Sequence, residues 1–264
     1  MTSSSNSVLR MRLMRLGRGC MAVSAVSAAW WTLTQLGLVS PFILPSPMGV
    51  ADAMQRLSAG YLGSTLAAHL QASLSVVLAG YVAAVSVGVT LGVAMAWSKP
   101  LDAIFGPLIS LLRPIPPPAW IPLSILWFGI GLPAKAFVVF VSAVTPCLIN
   151  AYVAVKQLPP ELHSAARTLG ASRRDLLLRV AVPSGLPMIA NGMRIALSTA
   201  WATVVAAELV VATAGFGFVI MSGYRNFEAD VMAAGIVAIA LTGFVMDLLF
   251  QGVERHAFDW CDHR

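Results

Sequence analysis

Residues 156–183 read KQLPPELHSAARTLGASRRDLLLRVAVP, a polar island between long apolar runs. They hold five of the chain's seventeen basic residues: Lys156, Arg167, Arg173, Arg174 and Arg179. The pattern predicts two short helices joined at a turn. Pro159 and Pro160 precede Glu161, which suits a first helical turn, where proline's missing N–H costs nothing and a carboxylate meets the positive helix end. Leu162, Ala165, Ala166 and Leu169 fall at i, i+3, i+4 and i+7, a narrow apolar stripe with small side chains at its centre. Gly170 suits a left-handed C-cap, and Ser172 with Asp175 three residues on suits the start of the next helix. Pro183 is expected to end that helix. A small-residue stripe with a basic back face fits a groove on another protein; the plainer alternative is an ordinary basic cytoplasmic loop.

The surroundings of the island set the class. The 264 residues are 58% hydrophobic and 11% charged, with a mean hydropathy of +0.81. Soluble domains of this size carry far more charge, so the chain reads as a polytopic membrane protein. The net charge of +6 does not argue for nucleic acid, because the basic residues cluster at the flanks of apolar runs. The sequence has no Walker A glycine loop, no His-Glu-x-x-His, no Gly-x-Ser-x-Gly and no heptad array. Cys20, Cys147 and Cys261 lie far apart, and His69 and His163 have no neighbours at ligand spacing. Neither a disulfide, a metal site nor a cofactor is expected.

Six spans are expected, so the fold class is all-α. The first covers about residues 20–39, after a Ser-rich tail with Arg10, Arg12, Arg15 and Arg18; an uncleaved span is favoured over a secretory signal because everything downstream is also membrane-like. A proline-bearing external connection follows to residue 63, with a short amphipathic piece near 47–59. The second span, about 66–97, is too long to cross a core of about 30 Å upright, so part projects or tilts. Its Gly80, Gly88 and Gly92 supply the small faces that membrane helices use to pack closely. Residues 101–131 are interrupted at Arg113-Pro114-Ile115-Pro116-Pro117-Pro118. This segment is either one discontinuous span or a surface helix that enters the membrane at the prolines. Further spans follow at about 136–155, 186–211 and 231–250. The organisation is thus a tail, first span and external connection (1–63), a transmembrane core (64–250) containing the island, and a polar tail (251–264).

Six spans place both termini on one side, and the basic residues say which. The N-tail, Lys99, the island and the C-tail hold twelve of them, while the opposite side holds only Arg56, Lys135 and Arg225. That bias puts the termini and the island in the cytoplasm.

Within the spans, Glu208 is a carboxylate in an apolar segment, facing either a pathway or the outer interface. Asn191, Ser198, Thr199, Trp201 and Thr203 give the fifth span a polar character that a helix facing only lipid does not need, and Arg194 either snorkels to the cytoplasmic surface or lines the pathway. Asn191, Arg194, Ser198, Trp201 and Glu208 are therefore the pathway candidates. Arg113 is read as a marker of the cytoplasmic interface, with attraction of an anion as the alternative. Gly215 and Gly217, interleaved with Phe216 and Phe218, suggest a short outer segment with flexible joints, a candidate outer gate, against a plain aromatic anchor.

The island, PPELHSAARTLGASRRDLLLRVAVPSGLP, resembles the cytoplasmic EAA loop of permease subunits in bacterial ABC importers. The resemblance extends through SPFILPSP, RPIPPPAWIPLSILWFGIG and VVAAELVVATAGFGF to the nitrate/sulfonate/taurine branch of type I importers. WWT near the first span and AAELVVAT bring it nearest to taurine permeases. On that resemblance Gly170, Ala171 and Pro183 are the loop's glycine, following alanine and closing proline, and Ala165 and Ala166 its paired alanines. The motif's glutamate position holds Ser164, and its leucine before the last proline is Val182; Glu161, one turn earlier, is placed to supply the carboxylate. The resemblance implies a coupling helix seated in a cytoplasmic ATPase subunit, two copies of that ATPase, a second copy of this chain, and a periplasmic binding protein. It also implies that this chain hydrolyses nothing itself and lies in a bacterial inner membrane.

Those readings converge on an inner-membrane subunit that moves a small organic sulfonate, taurine first, with another alkanesulfonate, nitrate or a similar small anion as alternative. A self-sufficient secondary transporter would show an inverted repeat or several buried midplane charges, and neither is visible. An intramembrane enzyme would need a nucleophile with a base, or a metal cluster, within the spans; none is visible.

Overall fold

Caps and prolines at the helix starts give the first clue to how the chain is cut into elements. The structure, a computed structural model, describes residues 21, 24–61 and 63–258. Helix α1 covers 24–35; residues 20, 22 and 23 of the predicted first span and the whole N-tail before it lie outside the described residues. The Trp30 indole N–H donates to the Pro45 carbonyl at 3.0 Å, tying α1 to the following loop. Helix α2 (Pro47–Ala59) starts at Ser46, whose hydroxyl accepts the Gly49 N–H, with proline at the first helical position. It buries Val50, Ala53 and Leu57 against Val231 and Ala234. This is the amphipathic piece expected at 47–59.

Helix α3 (Leu66–Trp97) and helix α6 (Leu132–Lys156) form the centre of the bundle. Their contact is set by the three glycines singled out in the sequence. A Cβ at Gly80 would meet the Ala136 carbonyl at 2.6 Å, one at Gly88 the Val144 carbonyl at 2.8 Å, and one at Gly92 the Leu148 carbonyl at 2.4 Å. The partner numbers rise with the glycine numbers, so α3 and α6 run parallel. Two parallel neighbours need a return between them, and residues 99–131 provide it.

That return is a broken span. Helix α4 (Lys99–Leu112) is followed by a turn at Arg113, a 3₁₀ turn (Pro117–Trp120) and helix α5 (Ile121–Phe128). At the start of α4, Asp102 accepts hydrogen bonds from Tyr152 Oη and Lys156 Nζ, both at 3.0 Å, at the C-terminal end of α6. At the other end, Ile121 packs on Val138 near the start of α6. The segment therefore travels back along α6, which decides between the two readings in favour of one discontinuous crossing.

After α6 come α7 (Pro160–Thr168), α8 (Arg173–Asp175), a π-helical stretch (Leu176–Ala181) and α9 (Val182–Val211). Pro183 does not end the helix as expected. It is the second residue of α9, and the helical path continues from Arg173 through Val210. Pro183 cannot donate a backbone hydrogen bond, and just before it the ladder slips by one residue: the Val182 N–H reaches back to the Leu177 carbonyl. Gly185 lies against Ala154, and Gly192 against the Pro146 carbonyl, so α9 runs antiparallel to α6.

Helix α10 (Phe216–Arg225) is the short segment expected before the last span. Helix α11 (Ala229–Phe258) runs past Phe250, where the polar tail was expected to begin. Among the described residues, four helices are long and apolar enough to cross a membrane: Leu66–Trp97, Leu132–Lys156, Arg173–Val210 and Ala229–Glu254. With the broken span they make five of the six crossings expected. The core lies among α3, α6 and α9, where Val76, Val139, Ala143, Cys147, Ala196, Trp201 and Val204 are buried together. Cys147 is thus a small core residue, as read.

Candidate functional site

Two regions at opposite ends of the bundle carry the residues singled out above. At one end, α7 closes with a Schellman motif: the Ala171 N–H donates to the Ala166 carbonyl and the Gly170 N–H to the Arg167 carbonyl, each at 3.0 Å. Gly170 has φ +79°, the left-handed conformation this cap requires. Ser172 then caps α8, its hydroxyl accepting the Asp175 N–H at 3.2 Å and lying 2.5 Å from the Asp175 carboxylate. These caps make helix–glycine–helix a rigid unit, and the second helix is the start of α9.

The unit presents Glu161, Ser164, Ala165 and Gly170 to solvent, while Ala171 and Pro183 are half-buried. The apolar stripe divides. Ala166 is buried against its own chain, whereas Leu169 is 87% exposed. Ala166 therefore supports the loop from within rather than lying on its free face. Leu178, in the π-helical stretch, is also 66% exposed; its place in a run of three leucines gave no sign of which one would point outward. Arg167, Arg173 and Arg174 are exposed, and Arg179 pairs with Asp175 at 3.3 Å.

At the other end, the start of α10 is held by side chains from α3 and α9. The first three N–H groups of a helix region need partners from outside it. The Gly215 N–H donates to His69 Nδ1 at 3.2 Å, the Phe216 N–H to Ser73 Oγ at 3.0 Å, and the Gly217 N–H to the Glu208 carboxylate at 2.9 Å. Ser73 Oγ in turn donates to Glu208 at 2.8 Å. Glu208 is 1% exposed, so it is not an interfacial helix-end residue; it anchors α10 by accepting the Gly217 N–H at the start of that helix. Ser73 and His69, which complete this cluster, had no signal in the sequence.

Gly215 and Gly217 serve close approach rather than flexibility. Gly215 has φ +120°, and a Cβ there would meet the Glu208 carboxylate at 2.4 Å; one at Gly217 would meet Glu208 Cβ at 2.6 Å. Beside this cluster lies a cavity of about 450 Å³ lined by Lys135, Glu208, Thr213, Phe218, Ser222 and Arg225, among others. Two of the three basic residues counted on the sparse side thus meet at one chamber. The third, Arg56, pairs with Asp230 and, at 3.7 Å, with Glu228, joining α2 to the first turn of α11 and the residue before it. Tyr61 donates to the same Glu228. Burial, and then that bond, push the Tyr61 phenol above its usual range.

The remaining pathway candidates separate. Asn191 and Ser198 lie exposed on one face of α9, two turns apart. Trp201, one turn from Ser198, is 5% exposed in the core, so it lines no open path. Arg194 is engaged by Asp247 of α11, through Nε at 2.7 Å and Nη2 at 3.0 Å, and Gln251 donates to the same carboxylate at 2.7 Å. Among the described residues no cluster of His, Cys, Asp or Glu is arranged to hold a metal.

Comparison with known proteins gives a consistent match. The family described as "Binding-protein-dependent transport system inner membrane component" matches residues 88–258. The chain is 38% identical over 251 residues to the taurine transport system permease protein TauC of Escherichia coli, covering 94% of this chain and 90% of that protein. It is 35% identical to the bicarbonate transport system permease protein CmpB of Synechococcus elongatus, covering 70% of this chain and 66% of that one. It is also 29% identical to the putative aliphatic sulfonates transport permease protein SsuC of Bacillus subtilis, over 92% and 87%. Among solved structures, the MetNI methionine ABC transporter has the same fold at a TM-score of 0.64 and 22% identity, over 72% of this chain and 95% of that one.

Proposed function

Because the chain belongs to the binding-protein-dependent transport system inner membrane component family, and is a multi-pass permease subunit of an ABC importer, we propose that its cargo is a small organic sulfonate, taurine first. The observation that carries this reading is the 38% identity to the taurine permease over 94% of the chain, supported by the similarity to a sulfonate permease. On this reading a separate ATPase subunit hydrolyses ATP, a binding protein delivers the substrate, and two copies of this chain form the pathway.

The geometry suggests how the parts divide the work. The exposed face around Ala165, Leu169 and Gly170 seats in the ATPase. Since α8, the π-helical stretch and α9 are one helical path, a rotation imposed on α7 and Gly170 passes directly along α9. That path ends near Glu208, which grips α10 beside the basic chamber. Motion at the ATPase end is therefore delivered to the far end without a flexible joint between. Lys135 and Arg225 give that chamber the charge to receive a sulfonate, although a similar small anion such as bicarbonate suits the same chemistry, and the bicarbonate permease is a relative.

Growth with taurine as the only sulfur source, in cells with and without this chain, tests the cargo. Growth lost on deletion and restored by the gene is expected; unimpaired growth with impaired uptake of bicarbonate or nitrate would move the assignment to that anion. Gly170→Asp tests the coupling face: uptake should fall at least tenfold with membrane insertion intact, and normal uptake would remove the loop from the coupling role.

A further inference from the structure

Resting on the reading of this chain as a permease for small anions, we infer that Arg113, at the break between α4 and the 3₁₀ turn, is the charge that receives the anion halfway through the membrane. The sequence favoured Arg113 as a marker of the cytoplasmic interface. The structure gives it a different depth. Asp102 fixes the start of α4 beside Tyr152 and Lys156, at the C-terminal end of α6. Eleven positions of helix carry the chain from Asp102 to Arg113, roughly 16 Å at 1.5 Å per residue. The same eleven positions on α6 lead from Lys156 back to Thr145, which lines the same cavity as Arg113. The two paths, which start from the same Asp102–Lys156 contact and meet again at one cavity, put Arg113 about half-way along a core about 30 Å thick.

A charge at that depth needs a partner or an aqueous path. The other charges within the spans are accounted for: Arg194 is paired with Asp247, and Glu208 is held by Ser73 and the Gly217 N–H. Arg113 has no ion pair and no side-chain hydrogen bond among the described residues. It borders a cavity of about 430 Å³ between the broken span and α6, within the range of roughly 300–1,000 Å³ typical of small-molecule sites.

The lining chemistry fits an anion with an apolar stem. Trp120 also lines the cavity, and its indole N–H is buried with no acceptor among the described residues. Thr145 adds a hydroxyl, while Leu112, Phe140 and Leu148 form apolar walls. A sulfonate offers three acceptor oxygens to a guanidinium fork and a spare N–H donor, and its short carbon stem suits the walls. The proline run supplies the break that holds this cation at mid-depth, because a continuous helix would close over the cavity. Arg113 is then a second station, after the chamber at Lys135 and Arg225.

The test uses the whole importer, this chain with its ATPase and binding protein, in proteoliposomes. Wild-type uptake of labelled taurine, ethanesulfonate, nitrate and bicarbonate is measured first; uptake of none of them overturns the proposed cargo class before any variant is made. For whichever anion is carried, Arg113→Gln should lower uptake at least tenfold, and Arg113→Lys should recover a large part, with assembly checked by size-exclusion chromatography. Arg113→Gln with wild-type uptake overturns the inference. If Arg113→Gln does not assemble, Thr145→Val and Trp120→Phe carry the test: each should lower uptake about threefold or more, and wild-type uptake in both overturns it.

Discussion

Glu208 on α9 accepts both the Ser73 hydroxyl and the Gly217 N–H, and so joins three helices through one carboxylate. Its hydroxyl partner, Ser73, lies 135 positions away on α3, and no local pattern links a serine in one span to a glutamate in another. The structure makes the carboxylate a clamp on the start of α10. Glu208→Gln should therefore weaken that clamp, because the amide turns one acceptor oxygen into a donor facing Ser73 and the Gly217 N–H. Leaving a buried donor unsatisfied costs about 1–3 kcal/mol. Thermal unfolding of the detergent-solubilised protein should show the loss, and Gly217→Ala should show a comparable one, since its Cβ would overlap the Val205 carbonyl at 2.8 Å. Unchanged midpoints for both variants would mean that α10 is not held through this cluster.

At the scale of elements, the sequence was most legible where the determinants are local. The cap at Gly170 and the Ser172–Asp175 start need only residues within one turn, and both appear as read. The glycine ridge of α3 was legible for a similar reason: small residues on one helix face announce a close neighbour without naming it. Gly88→Val should separate α3 from α6, because the added Cβ would lie 2.8 Å from Cys147 Cβ and from the Val144 carbonyl. Overpacking of this kind costs about 1–3 kcal/mol, read as a lower unfolding midpoint and lower yield of folded protein; a wild-type midpoint would contradict the parallel contact. Pro183 was misread because proline's local rule, helix end, lost to packing: Leu176 and Ala181 on either side of the slip are buried, which holds the ladder in its π form. The Arg194–Asp247 pair was half legible, one partner seen and the other missed. If it ties α9 to α11, Arg194→Asp should destabilise the bundle and the double exchange Arg194→Asp with Asp247→Arg should recover more than half of the loss. Additive losses in the double variant would mean that the two side chains do not act together.

For the whole molecule, the membrane class followed from composition, five of the six expected crossings lie among the described residues, and the expected direction of insertion rests on charge. On the twelve-to-three distribution of basic residues, the end with Gly170 is expected in the cytoplasm and the chamber with Lys135 and Arg225 outside. The fold gives this a sharper form, because it sorts the connections by end: Asp102, Lys156 and α7 at one, α2, Tyr61 and α10 at the other. On that expected orientation and the proposed cargo, an anion entering from outside would meet basic residues in the order chamber, Arg113, cytoplasm, a polarity that suits import. The test is labelling of single cysteines with a membrane-impermeant maleimide, in a version with Cys20, Cys147 and Cys261 replaced by serine or alanine. Ser164→Cys, exposed on α7, should react only in inside-out vesicles. Asp52→Cys, exposed on α2, should react only in intact right-side-out cells with a permeable outer membrane. The reverse pattern would turn the chain over, placing the helix–glycine–helix face where no ATP is available and removing the coupling role along with the orientation.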